Sequence, residues 1–146
     1  MNIKVVYHSS TGNTKKIADA IADTLNAKAI SVSDLRNICS EPIDLLFIGD
    51  GIYAGKINKK TAEFIRELNV DNVKCAAVFA TYGGQSKAVD EMKQLLLNKK
   101  IRIFPESFCC KGQSWIFMNR NHPNDIDVNM ARKFAKKAVA TITSGK

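Results

Sequence analysis

VVYHSSTGNT, residues 5–14, joins the end of a short apolar run to the start of a run with helical spacing. The apolar run Ile3–Tyr7 is typical of a buried β-strand. The run that follows indicates a helix that begins near Asn13. Its apolar residues recur at intervals of four: Ile17, Ile21 and Leu25. A strand that passes directly into a helix is the first half of a β-α-β unit, so this stretch predicts an α/β fold.

The loop between this strand and this helix consists of small residues, most of them polar. Its members are Ser9, Ser10, Thr11, Gly12, Asn13 and Thr14. A strand end, a tight turn and a helix start direct several backbone N–H groups to one point, where the helix dipole favours an anion. The four hydroxyl side chains add neutral donors, which suit a phosphate monoester. The alternative is that these residues only cap the helix and form the turn.

Two common nucleotide-binding signatures are missing from the chain. No lysine follows a glycine in the arrangement GxxxxGK[ST], and no GxGxxG is present. A P-loop for nucleoside triphosphates and a dinucleotide fingerprint are therefore both disfavoured.

Short apolar runs and helical runs continue to alternate along the chain. The later predicted strands are Ala29–Val32, Asp44–Gly49, Cys75–Ala80 and IRIFPESFCC at residues 101–110, in which Pro105 indicates an edge or bulged strand. The second predicted helix is Lys59–Leu68. The third has Ser86 as its N-cap candidate, and its apolar residues are Ala88, Met92, Leu95 and Leu96. The last begins near Pro123, Asn124 and Asp125, and its apolar residues are Ala131, Phe134, Ala135, Ala138 and Ile142. The runs Asp44–Gly49 and Cys75–Ala80 are apolar nearly throughout, which is typical of central strands in a parallel sheet. About five strands and four helices predict a single domain over residues 1–146.

The composition is that of a globular protein with an excess of positive charge. Lysine and arginine number 22, aspartate and glutamate number 14, and the net charge is +8. The basic residues are scattered over several predicted helices and turns without interleaved aromatic residues, so a nucleic-acid partner is not expected. No apolar run reaches the roughly 18 to 20 residues of a membrane span, and the start of the chain lacks the features of a signal peptide. We therefore expect a cytoplasmic protein without a membrane partner.

The cysteines and histidines form no recognisable catalytic or metal-binding pattern, so no catalytic residue and no metal ligand is assigned. The four cysteines, which we expect to be reduced thiols, are Cys39, Cys75, Cys109 and Cys110. As strand neighbours, Cys109 and Cys110 should point to opposite faces, and a redox role for this pair is disfavoured. His8 and His122 have no obvious Asp, Ser or Cys partner, so we expect both to be structural or on the surface.

Residues 5–14, followed by Ala18 and Ile21, resemble the FMN-phosphate signature of the flavodoxin family, and the chain is similar in length and element order to short-chain flavodoxins. This resemblance implies a doubly wound, five-stranded parallel sheet in the order 2-1-3-4-5, with helices on both faces. Flavodoxin itself exemplifies this order, with FMN at the switch point between strands one and three. The resemblance also implies a monomeric, low-potential electron carrier whose redox partner proteins are a reductase or a ferredoxin-type donor and acceptor.

Two loops beyond the carboxyl ends of the central strands are candidates for contact with the flavin ring. The first contains Asp50, Gly51, Ile52, Tyr53, Ala54 and Gly55, and the second contains Thr81, Tyr82, Gly83 and Gly84. By resemblance, these loops sandwich the flavin, and the peptide Ala54–Gly55 or Gly55–Lys56 faces flavin N5. The chain departs from the family pattern, because the first loop carries no Trp and the second lacks an acidic, aromatic extension. Trp115 either covers one end of the flavin or folds back on the last helix.

Two other functions compete with the electron carrier. The first is an FMN-dependent oxidoreductase, either a quinone reductase or an enzyme like the menaquinone-dependent protoporphyrinogen oxidases, whose loop after strand three is similar to Gly49–Gly55. Those enzymes usually carry an insertion that shapes a substrate or membrane contact, and no long insertion is seen here. The second is a basic nucleic-acid-binding module, which only the net charge suggests.

Overall fold

The computed structural model describes residues 1–35, 38, 40–52, 56–82, 88–112 and 122–145. Within these ranges, five parallel strands alternate with four α-helices. The elements are β1 (Ile3–Tyr7), α1 (Asn13–Thr24), β2 (Ala29–Ser31), β3 (Leu45–Ile52), α2 (Lys59–Glu67), β4 (Ala76–Tyr82), α3 (Ala88–Asn98), β5 (Phe108–Lys111) and α4 (Asp125–Ser144). The strand order is β2-β1-β3-β4-β5, which confirms the predicted doubly wound sheet. No helix in the described ranges is both long and apolar enough to span a membrane.

The sheet separates two apolar clusters because successive side chains of a strand point to opposite faces. Val5, Phe47 and Phe79 belong to the cluster that α1 and α4 cover. Val6 and Ile48 belong to the cluster that α2 and α3 cover. The helices contribute the apolar stripes predicted from their spacing, with Ile17 and Ile21 from α1, Phe134, Ala135 and Ala138 from α4, and Met92 and Leu96 from α3.

The two central strands run further than their apolar patterns predicted. β3 extends to Ile52 and β4 extends to Tyr82, whereas Gly49 and Ala80 were the expected ends. Parallel pairing between the two strands continues to their last residues. The assignment of Asp50, Gly51, Ile52, Thr81 and Tyr82 to loops is therefore wrong, because hydrogen bonding in the ladder continues past the polar residues at which the apolar runs end.

The outer strands are shorter than predicted. β2 ends at Ser31, because the Ser31 hydroxyl accepts a hydrogen bond from the Ser33 N–H and caps a one-turn 3₁₀ helix that begins at Val32. Of residues 101–110, Ile103 forms only an isolated bridge to β4, and β5 begins after Pro105. The interruption at this proline is the one that the sequence predicted.

Asparagine side chains define the starts of two helices. The Asn124 side chain accepts from the Asp127 N–H, and the Asp127 carboxylate accepts from the Asn124 N–H, both at 2.9 Å. This reciprocal pair is a capping box and explains why α4 begins at Asp125. Asn58 caps α2 by accepting from the Lys60 N–H. The cap predicted at Ser86 lies outside the described residues.

Replacement of Phe134 by alanine should strongly destabilise the fold. The Phe134 ring centre lies 5.9 Å from those of Phe47 and Phe104 and 6.0 Å from that of Phe108. We expect the free energy of unfolding, measured by urea denaturation, to fall by about 3 to 5 kcal/mol. Met130→Ala on the same helix, where the side chain is mostly exposed, should cost under about 0.5 kcal/mol. Equal losses for the two variants would contradict this account of the core.

Candidate functional site

The start of α1 lacks the side-chain cap that the starts of α2 and α4 possess. Gly12 occupies the N-cap position with φ of 90°, in the left-handed region, and its carbonyl accepts the Lys16 N–H at 3.0 Å. Gly12 makes no side-chain cap hydrogen bond, and the first turn of α1 contains no acidic residue, whereas α2 and α4 each begin with a bonded asparagine cap. An external anion can therefore take the place of a cap at α1.

Internal hydrogen bonds order the loop before α1. The Ser9 hydroxyl accepts from the Gly12 N–H at 3.0 Å, and the Thr11 hydroxyl accepts from the Asn13 side-chain amide at 3.0 Å. Because each of these hydroxyls uses its oxygen as an acceptor, its hydrogen can be donated to a ligand. Ser10, Thr11 and Gly12 are exposed, so the loop is accessible from solvent.

Thr14 differs from the other hydroxyl residues of the loop because it is buried. Its hydroxyl lies 2.8 Å from the Thr81 hydroxyl at the end of β4. The two threonines are 67 residues apart in the sequence. Their hydrogen bond therefore connects two segments that the sequence analysis assigned to one site. Thr14 thus joins the loop to the sheet, in addition to any role as a donor.

Gly112 is a site residue that the sequence analysis missed. Its N–H donates to the Tyr82 carbonyl at 3.0 Å, which places the chain after β5 beside the end of β4. A Cβ atom at Gly112 would lie 2.9 Å from the Asn13 side-chain nitrogen and 3.1 Å from the Asn13 Cβ. The start of α1 therefore approaches this backbone closely. No local pattern marks such a contact between residues 99 positions apart.

His8 and Asp50 form a pair at the carboxyl ends of β1 and β3. His8 Nδ1 lies 3.2 Å from Asp50 Oδ1, so His8 has an acidic partner that was not obvious from the sequence. Asp50 Oδ2 accepts the Asn58 N–H at 2.7 Å. Burial raises the pKa of the Asp50 carboxyl above its usual range, and the bond from Asn58 and the nearby His8 only partly oppose that rise. The pair was invisible in the sequence because its members are 42 residues apart.

His122 also has an acidic partner that the sequence did not reveal. His122 Nδ1 lies 2.6 Å from Asp127 Oδ2. The same carboxylate accepts the Asn124 N–H in the capping box of α4. Lys16 donates to the Pro123 carbonyl beside it, so the start of α4 is attached to α1. The expectation of a structural role fits this contact, but the expectation of no partner is wrong.

The adjacent cysteines lie on opposite faces of β5, as predicted. Cys110 packs in the cluster under α1 and α4, and Cys109 packs against the cluster under α2 and α3. Burial raises the pKa of the Cys109 thiol to about 11 and that of the Cys110 thiol to about 12. Both side chains are therefore unreactive thiols at neutral pH.

The described residues bring most of the predicted site segments to one edge of the sheet. Ser9–Thr14 follow β1, Asp50–Ile52 end β3, and Thr81 and Tyr82 end β4. The remaining predicted contacts lie outside the described residues: Tyr53, Ala54, Gly55, Gly83 and Gly84, together with Trp115. The common edge is the one at which doubly wound sheets bind ligands.

Comparisons with known proteins agree with this geometry. The model of the flavodoxin domain family matches residues 4–116. An uncharacterised protein of Methanocaldococcus jannaschii is 37% identical over 143 residues, which cover 91% of this chain and 92% of that protein. The flavodoxin-like domain-containing protein BilS of Clostridioides difficile is 29% identical over 123 residues, 77% of this chain and 67% of that protein. A solved flavodoxin from the domain Archaea superposes with a TM-score of 0.82 at 19% identity, covering 98% of this chain and 99% of that chain.

Alkylation of the β5 cysteines should be slow in the folded protein. With the pKa of Cys109 raised from 9.0 to about 11, its thiolate fraction at pH 8 is about 100-fold lower than that of an unperturbed thiol. We expect iodoacetamide to modify Cys109 about 100 times more slowly in the folded protein than in urea, with Cys110 slower still. Peptide mapping by mass spectrometry measures each site separately. Similar rates in the two states would contradict the assigned burial.

Proposed function

The chain belongs to the flavodoxin family, and on that premise we propose that it binds FMN at the carboxyl ends of β1, β3 and β4 and carries electrons between redox partner proteins. The observation that carries this proposal is the uncapped start of α1, which follows β1 through an exposed loop rich in hydroxyl groups. Such a loop supplies neutral hydrogen-bond donors and the positive end of a helix dipole to a phosphate group.

The chemistry of the donor set fits the phosphate of FMN. In this proposal the phosphate is bound by the loop Ser9–Thr14, that is, by Ser9, Ser10, Thr11, Gly12, Asn13 and Thr14. The loop contains no carboxylate, and α1 has no acidic residue in its first turn that would repel a dianion. The ordered hydroxyls of Ser9 and Thr11 lower the entropic cost of binding because they are already fixed by internal hydrogen bonds.

The flavin ring is proposed to lie against the ends of β3 and β4. The residues of this part of the site would be Asp50, Gly51, Ile52, Tyr53, Ala54 and Gly55 on one side and Thr81, Tyr82, Gly83 and Gly84 on the other. The Asp50 side chain is completely buried, so it would support the site without touching the ring. When bound, FMN supplies the redox chemistry, and the protein sets its potential through hydrogen bonds, stacking and local charge. The chain then needs no acid or base of its own for electron transfer.

The charge distribution supports acidic redox partners. Lys56 follows the end of β3, Lys111 ends β5, and Lys15 lies in the first turn of α1, and all three are exposed. These lysines surround the edge of the sheet where FMN is proposed to bind, and the whole chain carries a net charge of +8. A partner with an acidic surface would therefore be attracted to this edge and would associate faster.

Stepwise anaerobic reduction of the FMN-loaded protein tests the proposed electron carrier. Two separate one-electron steps in the visible spectrum, without turnover of quinones in the presence of NADH, would support a carrier. A single two-electron step together with quinone turnover would favour the FMN-dependent oxidoreductase. Failure to bind FMN would contradict both functions.

Replacement of Gly12 by alanine should weaken FMN binding without unfolding the protein. A Cβ at Gly12 meets no atom within 4 Å, so the substitution introduces backbone strain but no clash. A left-handed conformation costs a non-glycine residue about 1 to 2 kcal/mol. Where the alanine variant relaxes from this conformation in the absence of FMN, binding must restore it, and the affinity falls by up to about 5- to 30-fold. Quenching of FMN fluorescence measures the dissociation constant. Gly145→Ala, at the far end of α4 where φ is −87°, is the matched control and should leave the affinity unchanged.

A further inference from the structure

Asp50 is an ionisable residue buried inside the apolar layer between the sheet and two helices. It lies on β3 between Ile48 and Ile52, on the face that α2 and α3 cover, and its side chain is completely buried. A carboxylate in such surroundings is costly unless hydrogen bonds or an opposite charge compensate it. What its two oxygens contact therefore indicates why the fold tolerates it.

The two carboxylate oxygens of Asp50 bind groups from two different elements. Oδ2 accepts the Asn58 backbone N–H at 2.7 Å, and Oδ1 lies 3.2 Å from His8 Nδ1. Asn58 is the N-cap residue of α2, so the negative charge also lies at the positive end of that helix. The buried hydroxyl of Thr61, the third residue of α2, is near the same carboxylate but has no hydrogen bond of good geometry.

The bond from Asn58 to Asp50 closes a short stretch of chain. Seven residues, 51–57, separate the two partners in the sequence. One carboxylate therefore fixes the distance between Asp50, which lies two residues before the end of β3, and Asn58, the N-cap of α2. Fixing the ends of a segment before a ligand arrives removes part of the entropic cost of binding.

We infer that Asp50 is a positioning residue for the flavin: its carboxylate closes the base of segment 51–57 through the Asn58 N–H, with His8 Nδ1 at its other oxygen, and this closure strengthens FMN binding. The inference rests on the proposed function for its ligand, whereas the closure itself is a property of the protein without FMN.

The closure should weaken as the pH falls. Burial raises the pKa of the Asp50 carboxyl, so it takes up a proton at a higher pH than an exposed aspartate, for which the value is about 3.9. A protonated carboxyl is a weaker acceptor for the Asn58 N–H than a carboxylate. Among the described residues, His8 is the ionisable side chain that faces Asp50, because Asn58 and Thr61 are uncharged. FMN affinity should therefore decrease on acidification through the raised pKa of Asp50.

Asp50→Asn and Asp127→Asn form a matched pair of variants for the test. Asp127, like Asp50, contacts a histidine Nδ1 and accepts a backbone N–H, but it caps α4 instead of closing segment 51–57. At pH 7.5, Asp50→Asn should lower FMN affinity about fivefold, which is the difference between a charged and a neutral hydrogen bond. The thermal midpoint of the variant should not fall, because the amide avoids burying a charge. Asp127→Asn should leave the affinity unchanged.

The pH dependence separates positioning from a general structural role. As the pH is lowered from 7.5 through the raised pKa of Asp50, the affinity ratio of wild type to Asp50→Asn should fall toward one. His8→Gln removes an imidazole that lowers the pKa of Asp50, so this pKa rises and the loss of affinity should begin at a higher pH than in the wild type. The ionisation of FMN itself cancels in these ratios. A ratio independent of pH would overturn the inference.

Hydrogen exchange of the Asn58 amide in the protein without FMN provides a readout that does not depend on the proposed function. Exchange measured by NMR should be about fivefold faster in Asp50→Asn than in the wild type and unchanged in Asp127→Asn. If FMN does not bind but this exchange responds as expected, the proposed function fails and the closure stands. Unchanged exchange in Asp50→Asn, or an equal response in Asp127→Asn, would overturn the inference.

Discussion

β3 is hydrogen-bonded to β1 on one side and to β4 on the other, and the location of the candidate site depends on this pairing. The three strands are parallel, so their carboxyl ends meet at one edge of the sheet. The helices that follow β1 and β3 cover opposite faces, which leaves an opening between these strands at that edge. All eight residues of β3 are buried. The registers of β3 with β1 and with β4 determine which of its residues reach that edge.

The order of the elements could be predicted from the sequence because it depends on local patterns. β1 has the predicted limits Ile3–Tyr7, and α1 begins at the predicted Asn13. The ends of the central strands were harder to predict, since an apolar run stops at the first polar residue whereas a hydrogen-bonded ladder does not. Asp50 and Thr81 continue their strands because each is buried with a polar partner from another element. Two of these partners, His8 for Asp50 and Thr14 for Thr81, lie 42 and 67 residues away in the sequence, so local patterns carry no information about them.

The features of the candidate site also fall into those that the sequence could predict and those that it could not. The loop Ser9–Thr14 could be identified because a strand end, small polar residues and a helix start are adjacent in the chain. The two His–Asp pairs and the approach of Gly112 to Asn13 could not, because tertiary folding creates them. A histidine is neutral or charged near physiological pH and is common in both cores and sites. Only the identity of its neighbour reveals which role it has.

The short outer strands have a consequence for the behaviour of the molecule at high concentration. β2 has three residues and β5 has four, compared with eight in β3. Pro105, which has no N–H to donate, precedes β5 along the same border of the sheet. A strand from a neighbouring copy would gain few hydrogen bonds at either border. Resistance to edge-to-edge aggregation is therefore built into the backbone, and it does not depend on mutual repulsion between the positively charged surfaces.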